Sequence, residues 1–318
     1  MNNHTSTSAE AKLYAVEITR DIRFGEGSVG YGTATPGTRP LLLDMYAPVG
    51  AARAQGRPAL VMSHGGAYHR GAKDKDEFEQ DGTPNTPVTE YCQRFAQRGW
   101  VCFSVGYRLT QERAAPQPAP IRRQRGGVNR GRIDYVRSLL GLPPASDEEL
   151  LLGVEGAIAD VAAAFNFVHG QAASLGIDPA RIAMGGFSAG AFSSIYAAYA
   201  LGVPAAALVS LSGGMEADDA AYYVRKPSAG EPPLPPVLMF SSEFDLPGIH
   251  ERTMALATQA QQAGVGLRRY FVPGKPHFYD RQTEVLLQAN TLPGGAERCT
   301  IDDAIASFLA QTVGHAGG

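Results

Sequence analysis

Cysteine is scarce in this chain. Cys92, Cys102 and Cys299 are the three present among 318 residues, and no two stand in a C-x-x-C spacing. This predicts neither a disulfide framework nor a zinc site, and Cys102, inside an apolar run, reads as a buried and inert thiol. Positive charge is not in excess: 28 Lys and Arg face 31 Asp and Glu, a net charge of −3, which argues against a general nucleic-acid or membrane-surface partner. No apolar run reaches 18 residues, so no bilayer-spanning segment is expected. The opening MNNHTSTSAEAK is polar and lacks the apolar stretch of a secretory signal, and residues 1–12 read as a flexible tail. With reduced cysteines, this leads to a cytoplasmic expectation. No internal repeat and no low-complexity tract is present. The 44% hydrophobic content is enough for a core, and 318 residues read as one domain with insertions.

Short apolar runs alternate with helical patterns along the chain. Tyr14 to Phe24 and Leu41 to Tyr46 alternate apolar and polar residues in part, as edge strands do. Ala59 to Ser63 and Val101 to Tyr107 are near-continuous apolar runs, the mark of strands buried on both faces of a parallel sheet. Further strands are predicted at Ala206 to Leu211, Pro236 to Ser241 and Gly266 to Val272. Helices are predicted near Val88 to Gly99, Ile249 to Ala263 and Ile301 to Thr312. Ser146-Asp147-Glu148-Glu149 is a capping box. It opens a long helix in which Leu151, Val154, Ile158, Val161, Phe165 and Val168 recur at threes and fours. Strands alternating with helices of this length imply right-handed crossovers and a mostly parallel sheet covered on both faces, an α/β architecture.

Residues 108–145 break this rhythm. They hold Pro116, Pro118, Pro120, Pro143 and Pro144, together with Arg122, Arg123, Arg125, Arg130 and Arg132. The stretch reads as an insertion over the C-terminal edge of the sheet, a lid or pocket wall, with Gly126, Gly127 and Gly131 available as hinges.

The chemistry is concentrated in Gly186-Phe187-Ser188-Ala189-Gly190. It follows the apolar run Arg181 to Gly185 and precedes the Ala-rich stretch Ala191 to Ala200, so a G-x-S-x-G stands between strand and helix. A turn that sharp pushes the serine hydroxyl clear of the sheet and needs small residues on either side. The helix after it aims its N–H groups and positive dipole end at the serine.

A serine hydroxyl needs a base to become a nucleophile, and the base needs an orienting acid. In an open parallel sheet both belong on loops after strand ends. The loop Ser242 to Pro247 supplies Asp245, with Glu243 as rival, and Pro273 to Phe278 supplies His277. His4 and His315 lie in tails, His169 and His250 on helix surfaces, and His69 in the loop after the third strand. Ser188, Asp245 and His277 are therefore the candidate catalytic residues. An oxyanion needs N–H donors. His64-Gly65-Gly66-Ala67-Tyr68 directly follows the third strand, and Gly65, Gly66 and Ala189 are the expected donors, with His64 orienting the loop. Tyr68 and Phe187, adjoining these motifs, are the candidate substrate contacts.

Taken together, HGGAY at 64–68, GYRL at 106–109 and GIDPARIAMGGFSAGA at 176–191 make the chain, from Leu41 to Leu309, resemble the α/β-hydrolases of the esterase/lipase group. It is most similar to the hormone-sensitive-lipase-like and carboxylesterase-like branches. Two departures bear on the substrate. Ala67 stands where the lipase-like branch usually has a third glycine, and Phe187 where an acidic residue is frequent. GFSAG is also similar to enzymes acting on acetylated or feruloylated sugars and to some peptidases.

The resemblance implies an α/β-hydrolase fold with a lid insertion and a serine carboxylesterase that uses no metal and no organic cofactor. Its expected partner is a small-molecule ester, and a homodimer is left open. Two alternatives stay open. One is amide or peptide hydrolysis by the same residues, although proteases of this fold usually carry a large further domain for which the stretch before the first strands leaves no room. The other is a non-catalytic homologue that binds a small molecule. The insertion's Arg122, Arg123 and Arg125 read either as a solvated face or as groups favouring a carboxylate-bearing substrate.

Overall fold

In the computed structural model, residues 13–50, 56–80, 82–123 and 130–314 are described. The expected tail at 1–12, His4, His315, and Arg125, Gly126 and Gly127 of the insertion lie outside the described residues.

The chain runs β1 (Val16–Val29), β2 (Gly37–Pro48), β3 (Arg57–Ser63), a ribbon of β4 (Glu79–Gln80) and β5 (Thr83–Pro84), α1 (Val88–Gln97) and β6 (Val101–Val105). Residues 108–145 hold a 3-10 turn at Thr110–Glu112 and α2 (Arg130–Leu139); α3 (Asp147–Gly170), α4 (Ala172–Leu175), β7 (Ile177–Phe187) and α5 (Ala189–Tyr199) follow. The last third holds β8 (Ala207–Leu211), α6 (Ala217–Tyr223), β9 (Val237–Phe244), α7 (Ile249–Ala263), β10 (Leu267–Pro276), β11 (Glu284–Asn290), β12 (Arg298–Thr300) and α8 (Ile301–Thr312).

Ten strands form one sheet in the order β1-β2-β6-β3-β7-β8-β9-β10-β11-β12. The stretch from β6 to β10 is parallel throughout. The pairs β1–β2, β2–β6, β10–β11 and β11–β12 are antiparallel. The expected strands and long helices are present with ends shifted by a few residues. The β4–β5 ribbon, β11, β12, α2, α4 and α6 were not foreseen.

Alternation along the central strands divides the core into two layers. Leu60 and Met62 of β3 pack with Tyr91 and Phe95 of α1 and Phe308 of α8. Ala59 and Val61 point the other way, into the layer of Ile158 and Phe165 of α3, Ile195 of α5 and Leu256 of α7. Strands buried on both faces have no polar side to show, which is why β3, β6 and β8 read as near-continuous apolar runs.

Helix α3 starts where the capping box places it. Ser146 Oγ accepts from the Glu149 N–H at 3.1 Å, and Glu149 Oε2 accepts from the Ser146 N–H at 2.9 Å. Val154, Ile158, Val161, Phe165 and Val168 are buried, and each contributes about 1.5–3 kcal/mol by leaving water. Among the described residues α3 is the one helix whose length and composition would suit a membrane span. Glu155, Asp160 and Asn166 break its apolar sequence into shorter runs. Both carboxylates are buried and partnered: Glu155 accepts from the Ile121 and Arg122 N–H groups at 2.9 Å, and Asp160 accepts from Arg108 at 2.7 Å. The helix packs inside the protein against the sheet and α5.

Candidate active site

Strand β7 ends at Phe187 and α5 begins at Ala189, so Ser188 makes the whole turn. Its backbone sits at φ 52° and ψ −115°, outside the ordinary regions for a residue with a Cβ. The Ser188 N–H donates to the Leu211 carbonyl at 2.8 Å, tying the turn to the end of β8. A Cβ on Gly186 would stand 2.4 Å from the Ser63 carbonyl oxygen, and one on Gly190 2.0 Å from it. Only glycine lets the turn press against β3 this closely.

Three neighbouring strand ends bring the partners in. His277, just past β10, has Nε2 at 2.8 Å from Ser188 Oγ, and its Nδ1 is 2.5 Å from Oδ1 of Asp245, just past β9. Asp245 Oδ2 accepts from Ser212 Oγ at 2.7 Å, and Oδ1 accepts from the Leu246 N–H at 2.8 Å. Burial opposes the charge on Asp245, but the His277 ring and the hydrogen bonds from Ser212 and Leu246 outweigh it and hold the carboxyl below its ordinary value. Glu243, the rival acid, is exposed and accepts from the Gly274 N–H at 2.8 Å. Ser212, after β8, escaped the sequence reading. Nothing local marks it, although its φ of 52° aims the hydroxyl at Asp245, and it also bonds Tyr279 Oη at 3.0 Å.

The loop after β3 folds back beside the serine through consecutive left-handed residues, Gly66 (φ 111°), Ala67 (55°) and Tyr68 (62°). His64 anchors it. The ring is fully buried, stacks on Tyr107 with centroids 4.1 Å apart, and its Nδ1 bonds the Gly65 carbonyl at 2.7 Å. Burial pulls its pKa down to about 4, so it stays neutral. The Tyr107 hydroxyl, from the GYRL motif, donates to the His64 carbonyl at 2.9 Å. His69 is buried and turned from the serine toward Ala67 and Arg137. Arginine only donates, so Nε2 of His69 accepts from Arg137 Nη1 at 3.0 Å. Nδ1 therefore carries the proton and donates to the Ala67 carbonyl at 2.7 Å. Burial lowers the His69 pKa, in keeping with a neutral ring.

A cavity of about 100 Å³ opens at Ser188 and His277. Gly66, Ala67, Tyr68 and Ala189 border it, as do Ile133 and Val136 of α2. Two expected residues do not. Gly65 stands behind the loop, where a Cβ would meet the Phe187 ring at 2.7 Å, and Ala67 takes the place beside Gly66 that was expected of Gly65. Phe187 is buried in the layer under α1 and α8, because strand alternation sends its side chain away from the turn. It backs His277, with ring centroids 5.2 Å apart, and does not border the cavity. Tyr68 does border it, with its hydroxyl donating to the Ala189 carbonyl at 3.1 Å.

Four arginines also border the cavity: Arg70, Arg122, Arg132 and Arg252, with Glu216 as the carboxylate among them. Glu216 Oε1 lies 2.5 Å from Arg252 Nε and 3.7 Å from Arg122 Nη2. Arg123 lies elsewhere, its guanidinium 3.9 Å above the Tyr222 ring, and Arg130 pairs with Asp147. Among the described residues no group of three or more His, Cys, Asp or Glu could hold a metal ion.

No protein-family model matches the chain, and no curated protein matches it by sequence. Solved structures do. Esterase 2 of the planctomycete Thermogutta terrifontis, a thermophilic esterase, matches in its propionate-bound form with a TM-score of 0.52 and 18% identity, over 85% of this chain and 86% of that one. Its butyrate-bound form gives 0.51 and 18%, over 84% and 86%, and its form phosphoramylated by tabun gives 0.51 and 17%, over 85% and 87%. The likeness, with the strand order and the covered parallel sheet, establishes an α/β-hydrolase fold for this chain.

Proposed function

We propose that this protein is a serine carboxylic-ester hydrolase acting on small esters. The observation that carries this reading is the continuous relay from Asp245 through His277 to Ser188 Oγ, ending at a cavity bordered by a helix N-terminus. The Ser188 hydroxyl attacks the ester carbonyl carbon while its proton passes to His277 Nε2. Asp245 holds Nδ1–H in place and balances the imidazolium charge. The developing oxyanion faces the Ala189 N–H, one of the unpaired first-turn donors of α5, and the N–H groups of the Gly66–Ala67 turn. Collapse of the intermediate breaks the bond to the alkoxy oxygen, which takes the proton from Nε2 and leaves as alcohol. Water then attacks the acyl-enzyme, gives its proton to His277, and releases the acid and Ser188.

The size of the cavity supports short acyl groups, since ligand sites for larger molecules run to about 300 Å³ or more. The structurally similar Thermogutta esterase is described with propionate and butyrate bound, which points the same way. Among branches of the fold, the HGGAY loop supports the hormone-sensitive-lipase-like or carboxylesterase-like assignment.

The test is turnover of 4-nitrophenyl acetate and butyrate by the purified chain, with labelling by a fluorophosphonate located by mass spectrometry. Hydrolysis and a single adduct on Ser188 are expected. No turnover of any short-chain aryl ester would leave the binding-protein reading in its place.

A further inference from the structure

We propose that Arg70 and Arg132 form a carboxylate subsite, so that the preferred ester carries a negative charge at its non-reacting end; this rests on the ester-hydrolase reading of the same cavity. The four bordering arginines face one bordering carboxylate, a net charge of +3 in a half-enclosed space. They are not equivalent. Arg122 and Arg252 share Glu216, which offsets much of their charge. Arg70 has no carboxylate within ion-pair distance among the described residues, and its buried Nε has no hydrogen-bond partner there.

Aromatic packing holds the pair where a substrate would meet it. The Arg70 guanidinium sits 4.4 Å above the Phe78 ring, and that of Arg132 sits 5.6 Å from the Phe278 ring. Phe78 and Phe278 stack on each other at 6.1 Å, forming one platform under two cations. Phe278 follows His277 directly, with ring centroids 5.3 Å apart, so the platform begins at the base that would activate Ser188. Both guanidiniums are half-buried, and burial lowers both pKa values, that of Arg132 further through the neighbouring Arg70 charge. Two like charges brought together at partial burial repel each other. An anion placed between them removes that repulsion, and planar guanidinium forks pair well with carboxylates. A neutral ester of equal size does not remove it. The Arg132 guanidinium lies within two steps, of 5.6 and 5.3 Å through Phe278, of the His277 ring, an upper bound on reach that the monoester of a short dicarboxylic acid stays inside.

The experiment compares matched pairs of esters. 4-Nitrophenyl hemisuccinate against 4-nitrophenyl butyrate places the charge on the acyl side, and 4-acetoxybenzoate against phenyl acetate places it on the alcohol side. In wild type the anionic member of one pair should show the higher kcat/KM, and its advantage should shrink as salt is added. The Arg70→Gln/Arg132→Gln double variant should reduce the anionic-to-neutral ratio at least tenfold for that pair. An unchanged ratio for both pairs overturns the subsite.

Binding without turnover separates this from the hydrolase reading. Succinamate, which has no ester, is titrated calorimetrically into Ser188→Ala and into Ser188→Ala with both arginines replaced by Gln. At least tenfold weaker binding in the second is expected, and it supports the subsite even if no ester is hydrolysed. Equal binding overturns it.

Discussion

Arg137 of helix α2 donates to Nε2 of His69 at 3.0 Å, joining residues 68 apart in sequence. Through the His69 Nδ1–H bond to the Ala67 carbonyl, α2 is tied to the loop beside Ser188. The Ala67 peptide is therefore held from both sides, by the left-handed turn and by this relay. Arg137→Gln should lower kcat on 4-nitrophenyl acetate by roughly threefold to tenfold, the worth of about one hydrogen bond, with a modest fall in Tm. His69→Gln should behave alike, and combining the two should add little, because they act through one chain of bonds. Fully additive losses would show that the relay does not exist in solution.

Ser188→Ala should leave the fold intact and reduce ester hydrolysis by several orders of magnitude. The check is a steady-state assay beside a melting curve. More than about a tenth of the wild-type rate would mean that another group carries the reaction.

Asp245→Asn should be far more damaging than Glu243→Gln. The first places a donor or a neutral acceptor against His277 Nδ1, whereas the second touches only the exposed contact to the Gly274 N–H. Ser212→Ala should fall between them, at roughly a tenfold loss of kcat, since it removes one of the bonds that aim Asp245. Turnover of the three variants side by side decides the order.

Stability should also depend on Asp76. Burial raises its carboxyl from 3.8 to about 7, against the pull of the Val88 N–H that it accepts at the start of α1. The folded value lies above the unfolded one, so the favourable contribution is complete below about pH 4 and is lost as pH rises through about 7. Asp76→Asn keeps an acceptor for Val88 and removes the titration. Its Tm should approach that of wild type near pH 4 and exceed it above pH 7, by an amount corresponding to a few kcal/mol at most. A Tm difference that does not vary with pH would refute this.

Gly190→Ala should not yield a stable protein, because its Cβ would fall 2.0 Å from the Ser63 carbonyl oxygen, a backbone atom that cannot step aside. A variant that melts within a few degrees of wild type would show that the turn is looser than described.

Elements that rest on local rules were legible in the chain alone. The capping box at Ser146 acts within four residues, and the buried strands declare themselves because both faces must be apolar. The turn at Ser188 needs glycine at 186 and 190 for a steric reason visible in the pattern itself. The order Ser188, Asp245, His277 followed from placing polar groups after the ends of strands, here β7, β9 and β10, and the structure brings these three side chains together.

Other features depend on which strand ends become neighbours and on which face a side chain takes. Phe187 adjoins the serine in sequence, yet strand alternation buries it beneath His277, and Gly65 lies against that ring, where a Cβ would meet it at 2.7 Å. Ser212 meets Asp245 only because β8 and β9 pair in parallel. Arg70 and Arg132 share one aromatic platform only because α2 closes over the loop after β3. By itself the sequence determined the α/β layering and the residue types that the turn and the relay require, since backbone sterics and burial act over a few positions. The tertiary structure alone decided which distant polar groups meet at the cavity, because those meetings are set by sheet order and by the path of residues 108–145, which no local pattern encodes.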